Sequence, residues 1–395
     1  MYSLSDFSIT KDSFSSKEEI HIKTRIGIKK QKINLSELLS NLLDIKQYSK
    51  SYVKTFKKKV CELKEDEILN LKFNLIQEKH TEQKIKKTKN DIEKNISRFH
   101  YKNNDQFRIG MLSLAPKLSS KVDICIMSGT CENFCLGYNI SKEKEKITFK
   151  NDNGIFFKLL KTITFLYKTD IFLENLCLDI LKFIRLKNPV IRLNGYSDIL
   201  WENINISITH NLKEEISKFN KTHLYEKNIV NKYYLEKIID LETPINKELI
   251  IGKEYKIFEI FSGIIFYDYT KYNSTQRKSA SKFSNYYLTY SYDIHIAKNK
   301  EHLGVNTLCL ITKKDFKDKL LLNKKYLDYS LIDGDLSDFR LIDELNCKSK
   351  KLILLEAVSP SNNISKREEI ESSPFVLKDI GDLKNILEVN DDIIQ

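Results

Sequence analysis

The chain has 395 residues, with 66 Lys and Arg against 54 Asp and Glu, a formal charge of +12. Its 20 Tyr and 21 Phe supply bulky surface to bury, while only 11 Gly and 5 Pro exclude collagen-like, mucin-like and linker-type sequences. The length suits one large or two ordinary domains.

No uncharged apolar run of about 18 residues occurs, and the start MYSLSDFSITKDSF has neither a basic nor an apolar leader stretch. A soluble, intracellular protein with no membrane contact is the expectation. Nearly all of the cations are Lys, an excess that either forms an ordinary solvated surface or favours nucleic acid. Seven cysteines, an odd number, are read as ligands, catalysts or core rather than as a disulfide framework.

Residues 1 to about 30 read as short extended pieces. Leu35, Leu38, Leu39, Leu42 and Leu43 then form an apolar stripe at helical spacing, behind a capping Asn34 with Glu37 three residues on. Helical patterns continue over 54–78 and 82–97, so 1–105 is expected to be a charged helical accessory region. From Phe107 the texture changes: VDICIM, PVIRLNG, GIIFYDYT, NYYLTYSYD, VNTLCLI and KKLILLEAV read as strands. Helical patterns separate them at 155–186, around 212–220 and at 230–241. Strand and helix in alternation predict an α/β core over 106–358, with parallel strands in a partial or full TIM-like barrel. Residues 359–395 read as a polar tail closing with one short helix.

The densest chemical signal is Cys125, Cys131 and Cys135, spaced C-x5-C-x3-C at the end of the first expected strand. Thiolates on a short loop can converge on a soft or borderline metal. Zinc would want a fourth ligand, with Cys309 or His295 as candidates, whereas a three-cysteine iron–sulfur cluster leaves one iron open. The plainer alternatives are small buried side chains or a reversible disulfide.

In PVIRLNGYSDILWENI, strand alternation puts Arg192 and Asn194 on one face, with Gly195, Asp198 and Glu202 after the strand end. Polar groups at the carboxyl end of a parallel strand are where α/β sites form; alternatively Asp198 caps a helix and pairs with Arg192. In FYDYTK, Asp268 and Thr270 share one face and Lys271 takes the other. In NYYLTYSYD, Asn285 and Asp293 fall on a polar face opposite Tyr286, Leu288, Tyr290 and Tyr292, as in a polar barrel interior or in an edge strand with one face in water. In IDGDLSDFRLID, Asp333, Asp335 and Asp338 stand beside Arg340, either as metal ligands or as a tight turn neutralised by the arginine. Motifs for phosphate-binding loops, dinucleotide folds, zincins and α/β-hydrolases are missing.

In order, LSLAPKLS, C-x5-C-x3-CL, VIRLNGYSDILWE, FYDYTK, NYYLTYS and IDGDLSDFRLID resemble the gene product 88 family of phage and plasmid proteins, from about Gly110 to Val358. The resemblance implies a protein of mobile elements in which the three cysteines act as a set. It also implies a site built from Arg192, Asn194, Asp198, Glu202, Asp268, Lys271, Asn285, Asp333, Asp335 and Arg340. The region before Phe107 and the stretch from about Thr209 to Ser262 look like additions to the family pattern, and KKLILLEAV lacks the glycines of the family's usual closing segment.

The layout is also similar to that of radical S-adenosylmethionine enzymes, although their C-x3-C-x2-C spacing is absent. That analogy implies a cluster on Cys125, Cys131 and Cys135, with Asp198 and Arg192 at the cofactor and Asp268, Asn285 and Asp293 lining the interior. Two other readings stand beside it. One is a zinc-stabilised nucleic-acid-binding protein of plasmid or phage replication or maintenance. The other is a metal-dependent nuclease using Asp333, Asp335 and Asp338.

Overall fold

The computed structural model describes residues 35–46, 52–53, 57–64, 67, 74–79, 108–129, 131, 135, 154–186, 189–222, 245–246, 248–292, 307–335, 340, 350–358 and 364–387. The leucine stripe forms α1 (Leu35–Lys46), whose Leu38 and Leu42 are buried in the main core. Of the helix expected over 54–78, part lies outside the described residues, and the described part includes extended pieces: β1 (Tyr52–Val53) pairs with β2 (Lys58–Lys59), and β3 (Ile76–Lys79) joins the main sheet. At Ile76–Lys79, pairing to the main sheet outweighs the local helical pattern. The pattern at 82–97 lies outside the described residues, as does that at 230–241.

β4 (Arg108–Leu112) opens the parallel sheet. VDICIM does not make a strand. After α2 (Lys117–Ser120) the chain turns at Lys121, which adopts a left-handed φ of 60°, and runs on as an irregular loop with Val122 and Ile124 buried. Apolar alternation there marks anchoring of a loop rather than a ladder. The expected helix at 155–186 is two, α3 (Ile155–Tyr167) and α4 (Thr169–Phe183), broken at Lys168.

Then follow β5 (Pro189–Arg192), β6 (Ile206–Ser207), α5 (His210–Thr222), β7 (Glu254–Tyr255), α6 (Ile257–Ile260), β8 (Ile265–Thr270), β9 (Tyr286–Ser291) and β10 (Thr307–Thr312). After them come α7 (Lys314–Leu322), β11 (Lys325–Tyr326), β12 (Tyr329–Asp333), β13 (Lys350–Glu356), α8 (Ile364–Ser372), β14 (Val376–Leu377) and α9 (Ile380–Leu387).

The ten-stranded sheet runs β11-β12-β13-β10-β9-β8-β5-β4-β3, with β14 also on β10. Every internal pair from β12 to β4 is parallel, and only β11 and β3 are antiparallel. Strands β4, β5, β8, β9 and β10 are neighbours in chain order, as in a barrel, but β13 then inserts between β10 and β12. Among the described residues no pairing joins β11 to β3, so the fold is a mixed α/β sheet rather than a closed ring. β9 lies between β8 and β10, which removes the edge-strand reading. The 359–395 segment is not a tail either, because β14 enters the sheet and α9 buries Leu383 and Leu387 in the second core cluster.

One clamp ties the antiparallel edge to the helical layer. Asp179 of α4 accepts a 2.6 Å hydrogen bond from the Leu75 N–H, and the buried Lys161 of α3 donates to the Leu75 carbonyl at 3.0 Å. Burial lowers the Lys161 pKa to about 8. Asp179→Ala leaves both a buried donor and an uncompensated lysine, and is expected to destabilise the fold by about 2–4 kcal/mol in urea denaturation.

Candidate functional site

A cavity of 520 Å³ opens at the carboxyl ends of β4, β5, β8, β9, β10 and β13, the end of a parallel sheet where ligands bind. It sits where the sheet divides. Leu308 and Cys309 of β10 pair with Tyr290 and Ser291 of β9, whereas Ile311 and Thr312, on the same edge, pair with Val376 and Leu377 of β14. Ser291, Cys309, Ile311 and Phe375 accordingly line the cavity. So do Cys125, Cys131, Cys135, Arg192, Asn194, Asp198, Lys271 and Asp335, residues that the sequence spreads over more than two hundred positions.

The cysteine loop is held by its own turns. Ser128 N–H donates to the Cys125 carbonyl at 2.9 Å, Cys131 N–H to the Ser128 carbonyl at 3.0 Å, and Asp198 N–H to the Ile124 carbonyl at 3.0 Å. The protein packed around Cys125 raises its thiol pKa well above the ordinary value, and Asp198 and Cys131 push in the same direction. Among the described residues no three His, Cys, Asp or Glu side chains are grouped so as to hold one metal ion. The thiols line one cavity without converging.

Beneath the cavity lies a buried charged network around Arg277. Its Nη1 is 3.2 Å from Asp198 Oδ1, its Nε 2.8 Å from Glu202 Oε1, and its Nη2 donates to the Tyr286 hydroxyl at 2.7 Å. The contact to Glu202 is not aligned as a hydrogen bond, and Glu202 Oε2 has no donor. Tyr286 in turn donates to Asp268 Oδ2 at 2.9 Å, and Asp268 Oδ1 accepts from the Asn194 N–H at 2.7 Å. Asn194 organises its own loop: Oδ1 accepts from Ser197, Ile199 N–H and Trp201 Nε1 at 2.9–3.1 Å. Asp198 Oδ2 accepts from the Lys271 N–H at 2.8 Å. Burial raises the pKa of Asp198 and Glu202 against the pull of Arg277, and raises Asp268 to about 7.

Several expected roles move. The ion-pair partner of Asp198 is Arg277, whereas Arg192 lies over the Tyr269 ring at 4.9 Å and donates to the Asn194 carbonyl. Glu202 and Asp268 support the floor and are not among the cavity-lining residues. Nor is Asn285, whose amide lies within 3.0–3.1 Å of the Phe258, Phe261 and Ile264 carbonyls and so secures the turn after α6. Asp333 and Asp335 both pair with the buried Lys317, Asp335 at 2.5 Å, and Asp335 also accepts from the Glu356 N–H. Arg340 donates to the Gly334 carbonyl at 3.2 Å, and the two acids of the motif that are described, Asp333 and Asp335, share Lys317. Asp293, His295 and Asp338 lie outside the described residues.

Arg277, Tyr286 and Lys317 escaped the sequence reading. Arg277 sits in an unpatterned polar loop, although the scarcity of Arg in a Lys-dominated chain singles it out.

Fold and site together define an α/β protein with a thiol-lined ligand cavity at the carboxyl edge of a largely parallel sheet. Residues 75–362 match gene product 88, most of the chain, and the chain belongs to that family. No curated protein and no solved structure matches it. Among the described residues no helix is long and apolar enough to cross a membrane.

Arg277→Met leaves two buried acids without their cation and is expected to cost about 3–5 kcal/mol in urea denaturation, with Glu202→Gln in the same chain recovering part of the loss. For Asp268, the folded pKa of about 7 lies above its ordinary 3.8. The folded state therefore binds more protons between these values, and this group's contribution to stability falls as pH rises through that window. Asp268→Asn removes that component, so the gap between variant and wild-type urea midpoints should shift in favour of the variant between pH 4.5 and pH 7.

Proposed function

We propose that this chain is an intracellular enzyme that carries an iron–sulfur cluster on Cys125, Cys131 and Cys135. A small co-substrate would bind beside the cluster, S-adenosylmethionine in the radical-enzyme form of the reading, at the mouth of a partial barrel. The observation that carries this is that all three thiols, and Cys309 as a fourth, line one cavity at the carboxyl ends of parallel strands. A cluster held there would supply electrons to a bound molecule.

The chain's own residues do the positioning. Arg192 and Lys271 offer cations to a carboxylate, and Asp198, fixed by Arg277 and the Lys271 N–H, holds the two strand-end loops in register. The reading requires the 125–135 loop to gather its thiols on loading. Because the Cys125 thiol is protonated at neutral pH, loading displaces protons and weakens as pH falls. The nuclease alternative is weakened because Asp333 and Asp335 both pair with Lys317, and the zinc-stabilised nucleic-acid reading rests on the +12 charge, the many Phe and Tyr and the lysine-rich N-terminal region.

Anaerobic purification with iron and sulfide analysis tests the proposal. The expected result is a brown protein absorbing near ~400 nm, with iron and sulfide lost in Cys131→Ala. Zinc in place of iron transfers support to the zinc-stabilised reading; neither metal, under reconstitution, overturns both.

A further inference from the structure

Two apolar residues of the cavity lining, Ile370 and Phe375, come from a part of the chain outside the family match. That match ends at residue 362, and α8 and β14 follow it. Ile370 and Phe375 nevertheless line the cavity, each only 3% exposed, and pack with Val376 and Ala357 in a small core of their own. Ile311 and Leu355 continue this wall, and Val358, 55% exposed, stands at its mouth.

The rest of the lining is largely polar, and most of its acids already have cations. Asp198 is paired with Arg277, Asp335 with Lys317, and Asp123 with Lys117 at 3.4 Å, while Glu356 lies in the field of Lys314. Arg192 and Lys271 are further cations of the lining. A cavity of this size whose lining combines apolar side chains with two cations selects a molecule of matching polarity.

We propose that segment 364–377 is the specificity wall of the cavity, and that the cavity takes an amphipathic small molecule. The apolar body of that molecule rests on Ile370, Phe375 and Val358, and its anionic end faces Arg192 and Lys271. This uses the cavity of the iron–sulfur reading but not its metal, so it is tested on metal-free, reduced, full-length chain.

The test is fluorescence titration with two probes, the aromatic anion 1-anilinonaphthalene-8-sulfonate and its uncharged counterpart N-phenyl-1-naphthylamine. Wild type is expected to bind each at one saturable site, the sulfonate more tightly. Phe375→Leu should weaken both by about tenfold, the scale of a lost apolar contact in a pocket. Val358→Asn should weaken both as well, and because Val358 is exposed this variant keeps the fold even if Phe375→Leu does not. Arg192→Gln should weaken the sulfonate alone, by about fivefold. Absence of a saturable site, or affinities unchanged in both Val358→Asn and Phe375→Leu, overturns the wall; equal binding of the two probes by wild type overturns the anionic end. A chain that takes up iron but fails these titrations refutes this proposal and leaves the metal reading standing, and the converse result does the reverse.

Discussion

The cavity exists because Arg277 is buried among acids. Its guanidinium reaches Asp198, Glu202 and Tyr286, and through Tyr286 it reaches Asp268, which grips the backbone of Asn194. Three stretches of chain, the loops after β5 and β8 and the start of β9, are thereby tied together. Taking these charges out of water is costly, and an apolar replacement of equal volume is often as stable or more so. What the ionic version provides is direction: each oxygen and nitrogen accepts few partners at few angles, so the loops stop in one arrangement.

The sheet complements this from the other side. A parallel sheet buried on both faces forces its polar chemistry to the strand ends. Here the end gains depth because β9 and β10 part company after Ser291 and Cys309. The gap is filled by β14 rather than by solvent, and the lining consequently mixes polar groups from the loops after β4, β5 and β8 with apolar side chains from β10, β13 and the last elements of the chain.

Much of this was legible in the residues. β-branched and aromatic runs located β5, β8, β9, β10 and β13, and the leucine stripe located α1. The polar residues after PVIRLNG and FYDYTK met as expected because strand ends in a parallel sheet must meet. The failures have physical causes. VDICIM has a strand's alternation, yet Ser120, Lys121 and the Asp198 N–H capture its backbone in turns. Asn285 and Asp333 look like site residues because they are polar and flank strands, but a buried carboxamide or carboxylate satisfies backbone and lysine groups just as readily as a ligand. Arg277 was illegible because its partners lie 9 to 79 positions away, and no local pattern records so distant an arrangement. Segment 364–377 reads as polar on average, because Ile370 stands alone among charges and the apolar run Phe375–Leu377 is too short to outweigh them.

The late position of β14 sets an order of events during synthesis. Chains emerge from their amino end and fold in pieces as they do so, so β4 to β13 and the Arg277 network are all available before Val376 and Leu377 exist. Until those two residues arrive, the outer half of β10 shows bare N–H and C=O groups beside the apolar side chain of Ile311, an edge that invites pairing with a stranger. A chain cut short after the family-matched region would keep its thiols and its charged floor yet present that edge permanently. The strand that finishes the pocket is thus also what makes the finished molecule safe among its neighbours.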